Sequence, residues 1–238
     1  MQKPVSEKQT TSPPIAPALV HVFTGLGAVA ALMSARALNG GDSQALFVWL
    51  FVALFIDGID GTFARAVNVK ERLPRFSGER LDLVVDYLTY VFVPVLALLA
   101  WRHLDGPLGL LLAAGILLSS LYHFSDTGSK TEDNCFTGFP AVWNIVAFYV
   151  FAFDPPQWVT AASVALCIFG TFVPMPWVHP LRVVSMRVPT AIVTIAALLA
   201  STFTLFYGFP APLAVQIILA IAAAYYIGQA TWWWLQRR

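Results

Sequence analysis

Four aspartates stand at helical spacing in one stretch of this chain. It reads Asp57-Gly-Ile-Asp60-Gly61-Thr-Phe-Ala64-Arg65, then a basic connector, then Gly78-Glu-Arg-Leu-Asp82-Leu-Val-Val-Asp86. If both halves are helical, Asp57 and Asp60 project from one face, and so do Asp82 and Asp86. Two facing helices then present four hard oxygen donors to one space. Such a space suits one or two divalent cations, and magnesium in particular takes a few carboxylates while leaving positions for phosphate oxygens. Gly61, Ala64 and Arg65 continue the first face. The small residues admit a ligand close to the backbone, and Arg65 offers a planar fork to a phosphate. The chemistry this pattern supports is metal-assisted transfer at a phosphate.

The elements that carry these residues are apolar. Ala45 to Ile56 precedes Asp57 and Tyr87 to Trp101 follows Asp86, so the carboxylates sit at the ends of two hydrophobic segments. A charged side chain at the centre of a membrane helix costs about 2.5–3.5 kcal/mol on insertion scales, which argues against an ordinary solvated surface. Intramembrane acids also mark ion paths in transporters. A cation transporter built from repeats calls for a second acidic or broken segment in the other half of the chain, and residues 140–238 contain only Asp154 among acids.

With 58% hydrophobic and 11% charged residues among 238, and a mean hydropathy of +0.71, the chain reads as a polytopic membrane protein. Segments of roughly twenty apolar residues, enough to cross a bilayer, lie near 18–38, 44–65, 82–102, 107–125, 139–153, 157–175, 189–207 and 211–235, the fifth being short. The expected fold is therefore all-α and membrane-integral, a bundle of about eight transmembrane helices with a polar site facing the cytoplasm. Residues 1–16, polar and Pro-rich, read as a cytoplasmic tail before a single domain over 17–238.

Sidedness follows from Lys and Arg. With the N-terminus inside, Lys3, Lys8, Arg65, Lys70, Arg72, Arg75, Arg80, Lys130, Arg182, Arg187, Arg237 and Arg238 fall inside, and Arg36 and Arg102 outside. Both termini and the aspartates then face the cytoplasm. No basic tract interleaved with aromatics suggests nucleic acid. Cys135 and Cys167 give neither a disulfide pattern nor a metal pattern.

Asp57, Asp60, Gly61, Ala64, Arg65, Gly78, Asp82 and Asp86 together resemble the signature of the CDP-alcohol phosphotransferase family, D-x-x-D-G-x-x-A-R followed by G-x-x-x-D-x-x-x-D. Twelve residues separate Arg65 from Gly78, a longer spacer than most of the family carries. In this the chain is similar to the bacterial branch that joins CDP-diacylglycerol to choline. Ser129 to Pro140 and the trio His179, Pro180 and Arg182 look like that branch too. The resemblance implies an enzyme of the bacterial inner membrane that makes phosphatidylcholine and releases CMP. It implies two bound Mg2+ or Mn2+ ions on the four aspartates, with Asp86 as general base. Asp60, Gly61, Ala64, Arg65, Gly78 and Arg182 would contact CDP-diacylglycerol. It also places the polar start of the first span, with His21 and Thr24, beside the nucleotide, and it implies a homodimer.

The acceptor is the open point. A sugar or glycerol phosphate needs a second cationic cluster, whereas a quaternary ammonium needs aromatic faces and carboxylates. Both kinds of residue are present: Arg182 and Arg187 on one side, and Tyr87, Tyr122, Trp143, Glu132 and Asp133 on the other. Composition leaves phosphatidylserine-type and phosphatidylglycerophosphate-type synthases as alternatives. The resemblance favours choline.

Overall fold

The computed structural model describes residues 15–128, 135–178 and 186–236. Glu132, Asp133 and Arg182 lie outside those residues. The chain is an all-α polytopic membrane protein, and each of the eight expected segments contains a helix. Among the described residues, six are long and apolar enough to span: Ile15–Asn39, Ser43–Ala66, Gly78–Ala100, Gly106–Ser125, Arg187–Tyr207 and Leu213–Gln236. Two are shorter, Trp143–Phe153 and Gln157–Thr171.

The first two, α1 (Ile15–Asn39) and α2 (Ser43–Ala66), form a tight antiparallel hairpin. Its turn is set by Gly41 at φ +72°, a conformation glycine adopts without strain. Asp42 caps α2, its side chain accepting from the Ala45 N–H at 2.8 Å. The basic connector holds one short helix, α3 (Val69–Arg72). Ser77 then caps α4 (Gly78–Asp86) by accepting from the Arg80 N–H at 3.2 Å. The helix continues through a π-helical segment, Tyr87–Phe92, into α5 (Val93–Ala100).

Beyond α6 (Gly106–Ser125) the structure departs from the expected boundaries. The fifth segment becomes helical only at α7 (Trp143–Phe153), because Gly138 at φ +78° and Ala141 at φ +54° turn the lead-in away from helix. The sixth, α8 (Gln157–Thr171), stops short of the proline pair Pro174 and Pro176, which cannot donate to a helix. Just outside these two segments, β1 (Cys135–Thr137) pairs with β2 (Pro176–Val178) as a small antiparallel ribbon. The sequence pattern gave no sign of that ribbon. The chain ends with α9 (Arg187–Tyr207) and α10 (Leu213–Gln236).

The buried core joins α2, the third span and α6 to α10. Leu46, Val91, Leu98, Ile116, Trp143, Val164 and Leu219 are among its most enclosed side chains. Phe47 packs edge-on against Phe148 and Phe151. The small residues of α6 serve close packing inside the chain: a Cβ on Gly109 would lie 2.6 Å from the Leu104 backbone, and one on Gly115 would lie 3.0 Å from Ile168 of α8. Outward faces are apolar, as in Phe206 and Leu213. Lipid is the solvent such faces require.

Candidate active site

The site forms where α1, α2 and the third span meet. Asp57 and Asp60 lie on the last turns of α2, and Asp82 and Asp86 on α4. One cavity is lined by all four, together with Thr24 of α1 and Thr89 of the π segment. Helical spacing brings each pair inward, and the α2–α4 arrangement brings the pairs together. Carboxylate oxygens of Asp57, Asp82 and Asp86 lie within 4.8 Å of one another.

Three carboxylates so close repel. At roughly 5 Å and an effective dielectric of about 20, each like-charged pair costs about 3 kcal/mol. A divalent cation among them reverses the sign of that interaction. The donors are all hard oxygens with no sulfur or imidazole in the set, which fits magnesium or manganese and disfavours softer metals. The residues present therefore fit the ion that the chemistry calls for.

Asp60 takes a different place from its three companions. It is buried, and its Oδ2 accepts from the Thr24 hydroxyl at 2.7 Å. That bond ties α1 to α2 at the cavity. Closeness between α1 and α4 is set by Gly27, where a Cβ would fall 2.4 Å from a Val85 methyl carbon. One turn before Thr24, His21 packs on Gly78: a Cβ at Gly78 would lie 3.1 Å from the imidazole Cε1. The His21 Nε2 atom is buried without a hydrogen-bond partner.

Arg65 lies at the exposed end of α2. Its guanidinium covers Gly61, one Nη 3.3 Å from where a Gly61 Cβ would sit, and donates to the Thr62 hydroxyl at 3.1 Å. Ala64 is half-buried on the same helix. Gly61, Ala64 and Arg65 are not among the residues that line the aspartate cavity.

Of the residues suggested for an ammonium group, Tyr87, Tyr122 and Trp143 are among the described residues. The Tyr87 hydroxyl donates to the Leu117 carbonyl at 3.3 Å, and its ring meets Phe124 edge-on. Tyr122 is exposed against Phe172. Trp143 is wholly buried, its indole N–H donating to Ser120 Oγ at 2.9 Å and its ring set against Phe139. It is a core side chain whose polar atom is already satisfied.

One residue of the site had no signal in the sequence. Tyr90, nearly buried, donates its hydroxyl to Asp57 Oδ2 at 2.6 Å. As an aromatic within a hydrophobic run it reads as core until the structure places it.

A family model for CDP-alcohol phosphatidyltransferase matches residues 15–169. The chain is 45% identical over 184 residues to a phosphatidylcholine synthase of Mesorhizobium japonicum, covering 77% of this chain and 69% of that one. It is 41% identical over 214 residues to a phosphatidylcholine synthase of Pseudomonas aeruginosa, covering 90% of each. A third, from Brucella melitensis, is 38% identical over 218 residues, 92% of this chain and 79% of the relative.

Proposed function

Because the chain belongs to the CDP-alcohol phosphatidyltransferase family, we propose that it transfers the phosphatidyl group of CDP-diacylglycerol to choline and releases CMP. The observation that carries this reading is the convergence of Asp57, Asp82 and Asp86 within 4.8 Å, from the two halves of one signature. Identity to the synthases above supports choline over serine, inositol or glycerol phosphate. Magnesium or manganese, two ions in number, held by Asp57, Asp82 and Asp86 with Asp60 beside them, would neutralise the phosphoryl oxygens and the departing CMP.

The chain's own groups do the rest. Asp86 accepts the proton of the choline hydroxyl. The choline oxygen bonds to the phosphorus bearing the diacylglycerol, the bond from that phosphorus to the CMP oxygen breaks, and CMP leaves with the electron pair. Gly61, Ala64 and Gly78 border the cytidine, with Arg65 and Arg182 on phosphate. The ammonium is assigned to Tyr87, Tyr122, Glu132 and Asp133, and not to Trp143, which the core encloses. The site faces the cytoplasm of the bacterial inner membrane, where CTP-derived substrates are made, and the enzyme works as a homodimer. CDP-diacylglycerol keeps its acyl chains in the bilayer while its headgroup reaches the aspartates.

The test is product analysis with purified protein, labelled CDP-diacylglycerol, a divalent cation and one alcohol at a time. Phosphatidylcholine and CMP are expected with choline alone. Turnover with serine, inositol or glycerol phosphate instead would overturn the acceptor and keep the transfer chemistry.

Two substitutions probe how the site is held. Thr24→Val removes a hydrogen bond to a buried carboxylate, an interaction worth about 1.5–3 kcal/mol. It is expected to lower kcat/KM for CDP-diacylglycerol by about tenfold or more; an unchanged value would show that Asp60 needs no support from α1. Gly78→Ala pushes the His21 ring, which stands 3.1 Å from the added carbon. Its expected effect is a KM for CDP-diacylglycerol raised severalfold with kcat nearly kept, read from initial rates at saturating choline.

A further inference from the structure

The third span turns from α-helical to π-helical directly after Asp86 and returns to α-helix at Val93. The cause is legible in the sequence. Pro94 has no N–H to give the Tyr90 carbonyl four residues back, and its ring crowds that carbonyl. The helix widens in the preceding turn, and the Val93 N–H reaches the Leu88 carbonyl five residues back. Thr89 adds to this by donating its hydroxyl to the Val85 carbonyl at 3.0 Å, a side-chain bond that loosens helices.

The aim of Tyr90 is the consequence. In an α-helix four residues overshoot one turn by about 40°, so Asp82, Asp86 and Tyr90 would drift progressively off one face. A turn that holds an extra residue takes up the overshoot in the second step. Tyr90 therefore stays over the carboxylates, with its hydroxyl 2.6 Å from Asp57 Oδ2 and only 9% of its surface exposed.

We propose that Tyr90 is a positioning residue for the metal site: its hydroxyl fixes Asp57 where Asp82 and Asp86 converge, and the π turn imposed by Pro94 delivers it there. The inference rests on the divalent-metal reading above. A carboxylate ligand whose orientation is set by a neighbouring donor holds its ion better, and loss of such a donor typically costs about 10–100-fold in metal affinity or activity. Tyr90 acts through Asp57 and has no contact with the reacting atoms in this role.

The experiment is Mn2+ titration of the purified full chain in detergent, without substrate, followed by electron paramagnetic resonance. Tyr90→Phe deletes one oxygen and is expected to weaken Mn2+ binding by about tenfold or more. The Mn2+ concentration for half-maximal activity should rise by a similar factor. Tyr149→Phe also deletes a hydroxyl, one that donates to the Leu219 carbonyl at 2.9 Å, and should leave Mn2+ binding unchanged. Pro94→Ala restores the α-helical donor and should weaken Mn2+ binding on its own while adding nothing to Tyr90→Phe. Parent-like Mn2+ binding by Tyr90→Phe would overturn the role of Tyr90, and parent-like binding by Pro94→Ala would overturn the role of the π turn. If the unaltered protein binds no Mn2+, the metal reading fails and this inference fails with it.

Discussion

Asp86→Asn is expected to reduce phosphatidylcholine formation by about 10³-fold or more. The substitution is nearly isosteric, so α4 and its packing against α1 persist, but it removes a negative charge and a proton acceptor together. General-base catalysis alone is worth about 10²–10⁴-fold, and loss of one of three converging carboxylates adds to that. Because the CDP moiety would still meet Asp57, Asp82 and the small residues of α2, KM for CDP-diacylglycerol should move only a few-fold. The two contributions separate by raising the cation concentration. A rate that recovers at high Mn2+ marks a ligand defect, and one that stays low marks the missing base. Near-normal turnover in this variant at ordinary Mn2+ would falsify both roles of Asp86.

The second large effect falls on folding. Gly138 sits at φ +78°, and a Cβ there would lie 2.3 Å from the Thr171 carbonyl oxygen. Its N–H donates to the Met175 carbonyl at 2.9 Å, and the next N–H, of Phe139, donates to the Gly170 carbonyl at 3.0 Å. Neither neighbour is a flexible side chain that can move aside. Gly138→Ala combines a left-handed backbone with backbone overlap and is expected to destabilise the protein by about 3 kcal/mol or more. Thermal unfolding in detergent reads this directly; a melting temperature equal to that of the parent would show that the β1–α7 lead-in relaxes at little cost. Catalysis per folded molecule should fall far less than in Asp86→Asn, since Gly138 lies outside the aspartate cavity.

What the sequence disclosed and what it hid divide along physical lines. Asp57, Asp60, Asp82 and Asp86 were legible because acids are costly in lipid and helical spacing fixes their faces. The long spans were legible because length and hydropathy suffice for them. Beyond local periodicity, the role of Asp60 depended on Thr24, a partner 36 residues away, and no local pattern announces such a pairing. Trp143 shows the converse error. An aromatic near a polar mouth suggested an ammonium site, but burial against Phe139 and the bond to Ser120 make it core. The β1–β2 ribbon escaped because three-residue strands carry no readable alternation. Tyr90 was hidden by an indirect effect: Pro94 reads as a helix defect, and only the geometry shows which side chain the defect turns inward.

The order in which the cavity's walls occur along the chain bears on how the protein is made. Thr24, the α2 aspartates and the α4 aspartates come from the first three long helices, met consecutively from Ile15 to Ala100. During synthesis the acid-bearing segments therefore leave the ribosome beside the helices that shelter them, before α6 to α10 exist. Domains generally fold in the order they emerge. The charged segments, the least willing to enter a bilayer, are thus made next to the helix that shelters them, and all four aspartates are available to one another before the later helices are made.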